Sequence, residues 1–366
     1  MKSAAQKYDR NMRPHLGHCK GLVWRDPKRV PFQVAGLAWF AKERAWRRMP
    51  KRPKWKLPEA VDGLANHTAG AQVRFRTDAR RVAVKVRLPG PPGMVHMATT
   101  GIAGVDCYVN DGKTPRYYGT TKFDPKLPRY EILLFEHAER RARDFTLYLP
   151  LYSGVKDLQI GLERGARLGK PRAWRLPKPV VVYGTSITQG GCASRPGSAF
   201  TNILSRRMNL EFVNLGFSGS GRGEPEVARV IASIRSASLF VLDYEANTGN
   251  GAGLFATMPE FIRILRAKHP RTPILVLSRV RIGREWLQNE PRQKRAVNLR
   301  FQHDLVKKLR ATGDKHIHFY PGTDLLGVRD WEECTVDGSH PTDLGFYRMA
   351  DALEPVARRI LFGSAL

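Results

Sequence analysis

The chain has 366 residues, 42% of them hydrophobic and 26% charged, a balance that supplies a sizeable core and fits two domains. No apolar run approaches the roughly 20 residues that cross a bilayer, so a membrane-spanning helix is excluded. The net charge of +29 is the compositional outlier, and a field of that sign attracts polyanions such as nucleic acid, acidic polysaccharide or an anionic membrane surface. The basic residues are dispersed, however, over 44–56, 80–81, 140–141 and 292–295. That dispersion suits solubility or habitat better than a binding groove, and nucleic acid is not the expected partner. Four cysteines (Cys19, Cys107, Cys192 and Cys334) form no C-x-x-C pair, which points to reduced structural thiols. His15, His18 and Cys19 offer metal-ligand atoms but stand in a basic tail, so no metal is expected there. Residues 1–10 lack the apolar stretch of a signal peptide, and the cytoplasm is the expected compartment, with export after loss of a leader as the alternative.

Along the first half the texture is β. Residues 72–76 and 82–88 alternate apolar with polar positions, and short β-rich runs follow at 105–109, 130–135, 145–151 and 158–162. Turn clusters such as 89–93 (PGPPG) and 111–112 (DG) separate them, a pattern that predicts an all-β sandwich or jelly roll over 1–165. Residues 165–179 are rich in Pro, Gly and Arg without periodicity, and 166–179 is expected to be a linker. From 180 to 366 strands alternate with helices. Apolar strands are predicted at 180–183, 212–215, 239–242 and 274–277. Helices are predicted around 199–208, 227–234, 259–267, 293–309 and 342–361. That order implies an α/β domain, a parallel sheet with helices on both faces.

Chemistry gathers at the strand ends. Ser186, in Gly184-Thr185-Ser186-Ile187-Thr188, follows the first strand of the second half, where open α/β sheets present reactive groups. Taken alone the triplet is equally a helix cap or a turn. Thr188 stands where G-x-S-x-G needs glycine, which disfavours an α/β-hydrolase elbow. Near the far end, Asp337-Gly338-Ser339-His340-Pro341 precedes the last helix, with Pro341 suited to its first turn. Asp337 can curl back to hold the Nδ1 proton of His340 and leave Nε2 facing a hydroxyl. The same residues also read as a plain turn and helix start. The loop 216–221 (GFSGSG) brings backbone N–H groups close to a ligand, and the loop 243–247 ends in the amide of Asn247. Together with the Ser186 N–H these can stabilise an oxyanion, although each loop alone is ordinary. The run 219–224 (GSGRGE) mimics a dinucleotide site, but its sixth position is Glu224, an unfavourable neighbour for a pyrophosphate.

Taken jointly and in this order, these blocks resemble the SGNH hydrolase (GDSL-like lipase/acylhydrolase) family. Thr185 replaces the more usual Asp before the serine. Gly219 matches the second-block glycine, Asn247 the third-block asparagine, and Asp337 and His340 the fifth-block pair. In the first half, Gly104-Val105-Asp106-Cys107-Tyr108 is similar to the G-x-D-L-Y signature of the domain preceding one SGNH branch, with Cys107 in place of Leu; 148–152 (YLPLY) also resembles that branch. The resemblance implies a three-layer flavodoxin-like domain after a jelly roll. It further implies a serine esterase with Ser186 as nucleophile, His340 as base and Asp337 orienting it. Ser186, Gly219 and Asn247 would line the oxyanion hole, with no metal or organic cofactor. Two-domain carbohydrate acetyl esterases share this combination, so the expected substrate is an acetylated sugar, with an acidic polysaccharide as a further candidate. The alternatives are a general short-chain carboxylesterase or lysophospholipase-like acylhydrolase, and a polyanion binder with a vestigial esterase site.

Overall fold

In the first half the alternating apolar positions do turn inward on paired strands. The computed structural model describes residues 4–14, 19–112, 114–249 and 251–363. Among the described residues ten strands fill the first half: β1 (Leu22–Arg25), β2 (Gln33–Ala35), β3 (Gln72–Thr77), β4 (Arg81–Arg87), β5 (Asp106–Asn110), β6 (Arg116–Thr120), β7 (Arg129–Glu136), β8 (Arg143–Tyr148), β9 (Asp157–Glu163) and β10 (Leu168–Gly169). They form two antiparallel sheets, one ordered β1-β9-β4-β7 and the other β10-β3-β8-β5-β6, with β2 paired to β3. Val82, Val84 and Val86 of the first sheet and Phe75, Phe145 and Leu147 of the second are buried in one core between them. Here the structure adds β1, β2, β6 and β10 to the predicted strands. These four are short and half polar, so no period marks them.

The segment 166–179 lies along this sandwich. Leu168 and Gly169 pair with Thr77 and Arg76, and the Arg74 guanidinium lies 3.4 Å from the Trp174 ring centre while donating to the Arg172 carbonyl at 2.8 Å.

The second half carries five parallel strands, β11 (Val180–Gly184), β12 (Phe212–Gly216), β13 (Leu239–Asp243), β14 (Ile274–Leu277) and β15 (Ile317–Tyr320), ordered β12-β11-β13-β14-β15. This is the flavodoxin-like order, with its switch point beside β11. The continuous apolar runs are explained by burial on both faces. Val180 and Val182 face helices Phe200–Met208 and Asp343–Phe362 and share the sandwich core. Val181 and Tyr183 face helices Pro225–Ala232 and Ala252–Lys268 on the other side.

Two boundaries differ from expectation. The helix predicted from 259 begins at Ala252 and carries Pro259 inside it. Leu254, Met258, Phe261, Ile262 and Leu265 form one buried stripe, and its packing outweighs the roughly 3 kcal/mol that an interior proline costs. The last helix begins at Asp343, capped by Thr342, so Pro341 lies before it and instead bridges to Thr335. His340 therefore sits on a short β-like turn ahead of the helix.

A fully buried arginine joins the two halves. Arg48 Nε donates to the His67 carbonyl at 2.9 Å, and Nη2 to the Leu64 carbonyl at 2.8 Å. Its Nη1 donates to the Gly216 carbonyl at the end of β12, and the guanidinium lies 4.7 Å from the Phe217 ring centre. Burial without a carboxylate partner pulls its pKa down to about 9. Arg48→Met keeps the volume but removes the guanidinium donors to the His67 and Gly216 carbonyls at about 1–3 kcal/mol each, while the Leu64 carbonyl keeps the His67 N–H. Urea unfolding is expected to show a loss of about 3 kcal/mol or more. A change below about 1 kcal/mol would mean that water replaces the guanidinium.

Candidate active site

At the carboxyl edge of the parallel sheet, Gly184 stands in register with Gly216 on one side and Asp243 on the other. Three chains therefore leave the sheet at one level, and their next residues include Ser186, Gly219 and Asn247. The crowding demands glycine: a Cβ on Gly184 would come within 2.0 Å of Thr188 Oγ1, and one on Gly216 within 2.2 Å of the Gln189 nitrogen.

Ser186 opens the short helix Ser186–Gln189, and Thr185 caps it by accepting from the Ile187 N–H at 3.3 Å. Threonine and aspartate are both good N-caps, which accounts for Thr185 at this position. His340 Nε2 lies 2.9 Å from Ser186 Oγ, and His340 Nδ1 lies 2.7 Å from Asp337 Oδ2. The other carboxylate oxygen, Oδ1, accepts from the backbone N–H groups of His340 at 2.7 Å and Ser339 at 3.0 Å. Desolvation pushes the Asp337 pKa up. The backbone N–H of His340, the imidazole and the Ser339 N–H outweigh it and hold the carboxyl at about 2. An ionised Asp337 accepts from Nδ1–H and leaves the Nε2 lone pair toward the serine hydroxyl. Ser186, His340 and Asp337 thus lie in one hydrogen-bonded line.

Gly219 sits at φ +66 in the loop after β12, and among the described residues its N–H has no protein partner. Asn247 ends the turn Glu245–Asn247 after β13 and donates from Nδ2 to the Phe217 carbonyl at 3.2 Å, which ties the two loops together and leaves its second N–H over. Beneath that turn, buried Glu245 accepts from the Arg279 N–H at 2.8 Å, Gln302 Nε2 at 2.7 Å and Asn298 Nδ2 at 3.2 Å. Asp243 accepts from Thr188 Oγ1 at 2.6 Å, and burial raises its pKa to about 7 against that hydrogen bond.

The β-sandwich reaches into this site from several of its segments. Gln189 Oε1 accepts from the Ser218 N–H at 3.1 Å, while its Nε2 donates to the Leu151 carbonyl at 3.1 Å and faces His67 Nδ1 at 3.1 Å. The Tyr152 hydroxyl donates to the Ser186 carbonyl at 3.2 Å. Asp106 accepts from the Gly197 N–H at 2.7 Å and from Arg195 Nη1 at 3.0 Å, and Arg195 also donates to the Tyr108 hydroxyl at 2.6 Å. Asp106, Tyr108 and Tyr152 stand inside motifs visible in the sequence, whereas Arg48, His67 and Gln189 lack any local signal. His96, from the loop between β4 and β5, lies with its ring centre 5.7 Å from that of His340. A cavity of about 1180 Å³ lined by Lys28, Trp39, Pro179, Glu211 and Ser236 opens near the amino edge of the sheet, away from Ser186. Of the early metal-ligand candidates, His15 and His18 lie outside the described residues.

With this geometry in hand, comparison with known proteins is decisive. The model of the GDSL-like lipase/acylhydrolase family matches residues 177–358, and that of the N-terminal domain of SGNH-hydrolase-type esterases matches 22–168. A GDSL-like lipase from Bacteroides ovatus is 30% identical over 93% of this chain and 98% of its own, with a TM-score of 0.85. The chain belongs to the GDSL-like lipase/acylhydrolase family. Its fold is shared by a salicylyl-acyltransferase from a tetracycline biosynthetic pathway (22% identity, 94% and 99% covered, TM-score 0.72). A family two carbohydrate esterase from Cellvibrio japonicus shares it as well (12% identity, 93% and 98% covered, TM-score 0.58). Within this SGNH-type family the GxDLY segment has a physical task here: Asp106 and Tyr108 pin the Arg195–Gly197 loop that follows the Ser186 helix.

One titration follows from the support of that helix. Burial, helped by the charge of Arg48, lowers the His67 pKa to about 4. The unfolded chain takes up this proton near pH 6.5 and the folded one does not until about pH 4. Stability is therefore retained above pH 6.5 and falls toward pH 4, with a slope from this group of at most about 1.4 kcal/mol per pH unit. His67→Gln is expected to flatten that slope in urea titrations between pH 6.5 and 4.5. An unchanged slope would assign it to other groups.

Proposed function

We propose that the protein is a serine esterase that hydrolyses short acyl esters, acetyl foremost, on a carbohydrate. The reading rests chiefly on the unbroken line Ser186–His340–Asp337 at 2.9 and 2.7 Å. Ser186 Oγ attacks the ester carbonyl carbon while His340 Nε2 takes its proton. Asp337 keeps the imidazole in the required tautomer and stabilises its cation. Negative charge moves to the carbonyl oxygen, where the N–H groups of Ser186, Gly219 and Asn247 receive it. The C–O bond of the tetrahedral intermediate breaks, and His340 returns the proton to the departing alcohol. Water, deprotonated by the same nitrogen, then releases the acid and regenerates Ser186.

A sugar alcohol is favoured by the shape of the site. The side chains of His340 and Asp337 are 26% and 34% exposed, so the alcohol side is open to a large substrate. The carbohydrate esterases that share the fold agree with that choice. A panel of p-nitrophenyl esters of increasing chain length, run beside acetylated sugars, tests both halves of the substrate; highest kcat/KM on long acyl chains would overturn the acetyl assignment.

Ser186→Ala and His340→Ala are each expected to lower kcat by ~10³-fold or more with an unchanged melting profile, because nucleophile and base act as one unit. Asp337→Ala, which leaves the Ser–His pair in place with a poorly held imidazole, is expected to lose less. Near wild-type turnover in folded Ser186→Ala would falsify the mechanism. For Asn247→Ala the expected loss is ~10²–10³-fold in kcat with KM almost unmoved, since the donor acts where charge develops. A raised KM at constant kcat would make Asn247 a binding residue instead.

A further inference from the structure

Three donors with metal-binding chemistry converge over the proposed esterase centre. His96 comes from the loop between β4 and β5, Cys192 from the loop after the Ser186 helix, and His340 from the turn before the last helix. Their ligand atoms all lie within 4.8 Å of one another. Two nitrogens and one sulfur on a tetrahedral ion, at about 2.0–2.3 Å from it, stand about 3.3–3.6 Å apart, so a pair at the 4.8 Å limit has to close by about 1.2–1.5 Å. Neither His96 nor Cys192 takes part in the acyl-transfer steps above. Among the described residues the Cys192 thiol has no hydrogen-bond partner, and the His96 ring has a 3.9 Å approach of Nε2 to Asp337 Oδ2 beside its edge contact with the His340 ring. Cys192 is buried, so its sulfur is held in place, while the His96 side chain is 34% exposed.

We propose that His96, Cys192 and His340 form an inhibitory site for a transition-metal dication of the zinc class. One thiolate and two imidazoles select zinc or a similar soft ion over magnesium and calcium, which prefer oxygen donors. Asp337 or a water completes the tetrahedron. On binding, the ion sheds its waters and the Cys192 thiol releases its proton to solvent as the metal–sulfur bond forms. His96 gives a nitrogen lone pair. His340 gives either Nε2, losing its contact with Ser186, or Nδ1, whose proton passes through solvent to Nε2 and whose bond to Asp337 is lost. No electron is transferred, and a chelator with a proton for the thiol reverses the step. Either nitrogen is one that turnover needs, so a bound ion stops hydrolysis. The binding half of this inference stands on the donor geometry alone; the inhibitory half rests on His340 as the base.

The test uses the full chain stripped of metal by a chelator, with Co²⁺ as spectroscopic probe and Zn²⁺ as inhibitor of p-nitrophenyl acetate hydrolysis. A thiolate-to-cobalt charge-transfer band is expected in the wild type, lost in Cys192→Ser and weakened in His96→Ala. Zn²⁺ is expected to lower hydrolysis at least ~10-fold, reversibly. Both variants are expected to stay active without metal and to need ~10–100-fold more Zn²⁺ for the same loss, by analogy with the effect of removing a supporting partner. Thermal melting checks that they fold, and His96→Ala, on a surface loop, suffices if Cys192→Ser does not. Absence of the band, or a band unchanged in both variants, overturns the site. A band that responds to the variants while hydrolysis is untouched by Zn²⁺ overturns inhibition. A chain inactive on every ester fails the functional reading only, because the cobalt spectrum still decides the site.

Discussion

The registration of Gly184 with Gly216 and with Asp243 is the constraint on which the rest of the site depends. Parallel strands have a fixed offset through their hydrogen bonds, so three chains that end together must turn away into one small volume. That volume holds no side chain at 184 or 216, and the helix Ser186–Gln189 packs directly over the glycines. A serine two residues past the end of β11 is thereby presented beside loops from both neighbouring strands. The Asn247–Phe217 bond keeps those loops at a set distance from one another.

A sheet edge alone does not hold loops still, and the β-sandwich supplies what is missing. Its contributions fall on different parts of the site: Tyr152 on the Ser186 carbonyl, Leu151 and His67 on Gln189, Arg48 on the end of β12, and Asp106 with Tyr108 on the loop through Gly197. Most of these are bonds between a buried side chain and a backbone group. Such bonds are costly to leave half-made, so they fix one arrangement more strongly than they add net stability. The two sheets and the parallel domain also share one apolar core through Val180 and Val182. The sandwich is in this sense built into the candidate site rather than an appended module.

The electrostatics of the site run against the +29 charge of the whole chain. Many of its arginines are engaged with carboxylates or backbone carbonyls, as Arg266 is with Asp314 and with the carbonyls of His269, Thr272 and His316. Others, such as Arg279 and Arg295, sit with buried Glu245 and Glu285 beneath the Asn247 turn. At the centre itself the charge is that of Asp337, held ionised by two backbone N–H groups as well as the imidazole.

The sequence by itself determined the classes of element and the order of the reactive blocks. Period-2 alternation marks β4 because one face is dry and one wet, and unbroken apolar runs mark β11 to β14 because both faces are dry. Ser186, Asp337 and His340 stand out in the sequence only as a set, since each motif alone also reads as a cap or a turn and their order along the chain is what matches the family pattern. β15 and the short added strands were not, since two to five residues that include polar ones, such as His318 in β15 and Arg25 in β1, are too few to show a period. The helix that swallows Pro259 was misjudged for the opposite reason: packing from Leu254 to Leu265 overrides a local breaker. Tertiary structure alone decided that Arg48, His67 and Gln189 brace the segments around Ser186 and that His96 and Cys192 lie beside His340. Those contacts join residues separated by tens to hundreds of positions, and local sequence pattern carries no trace of a bond between a side chain and a distant carbonyl.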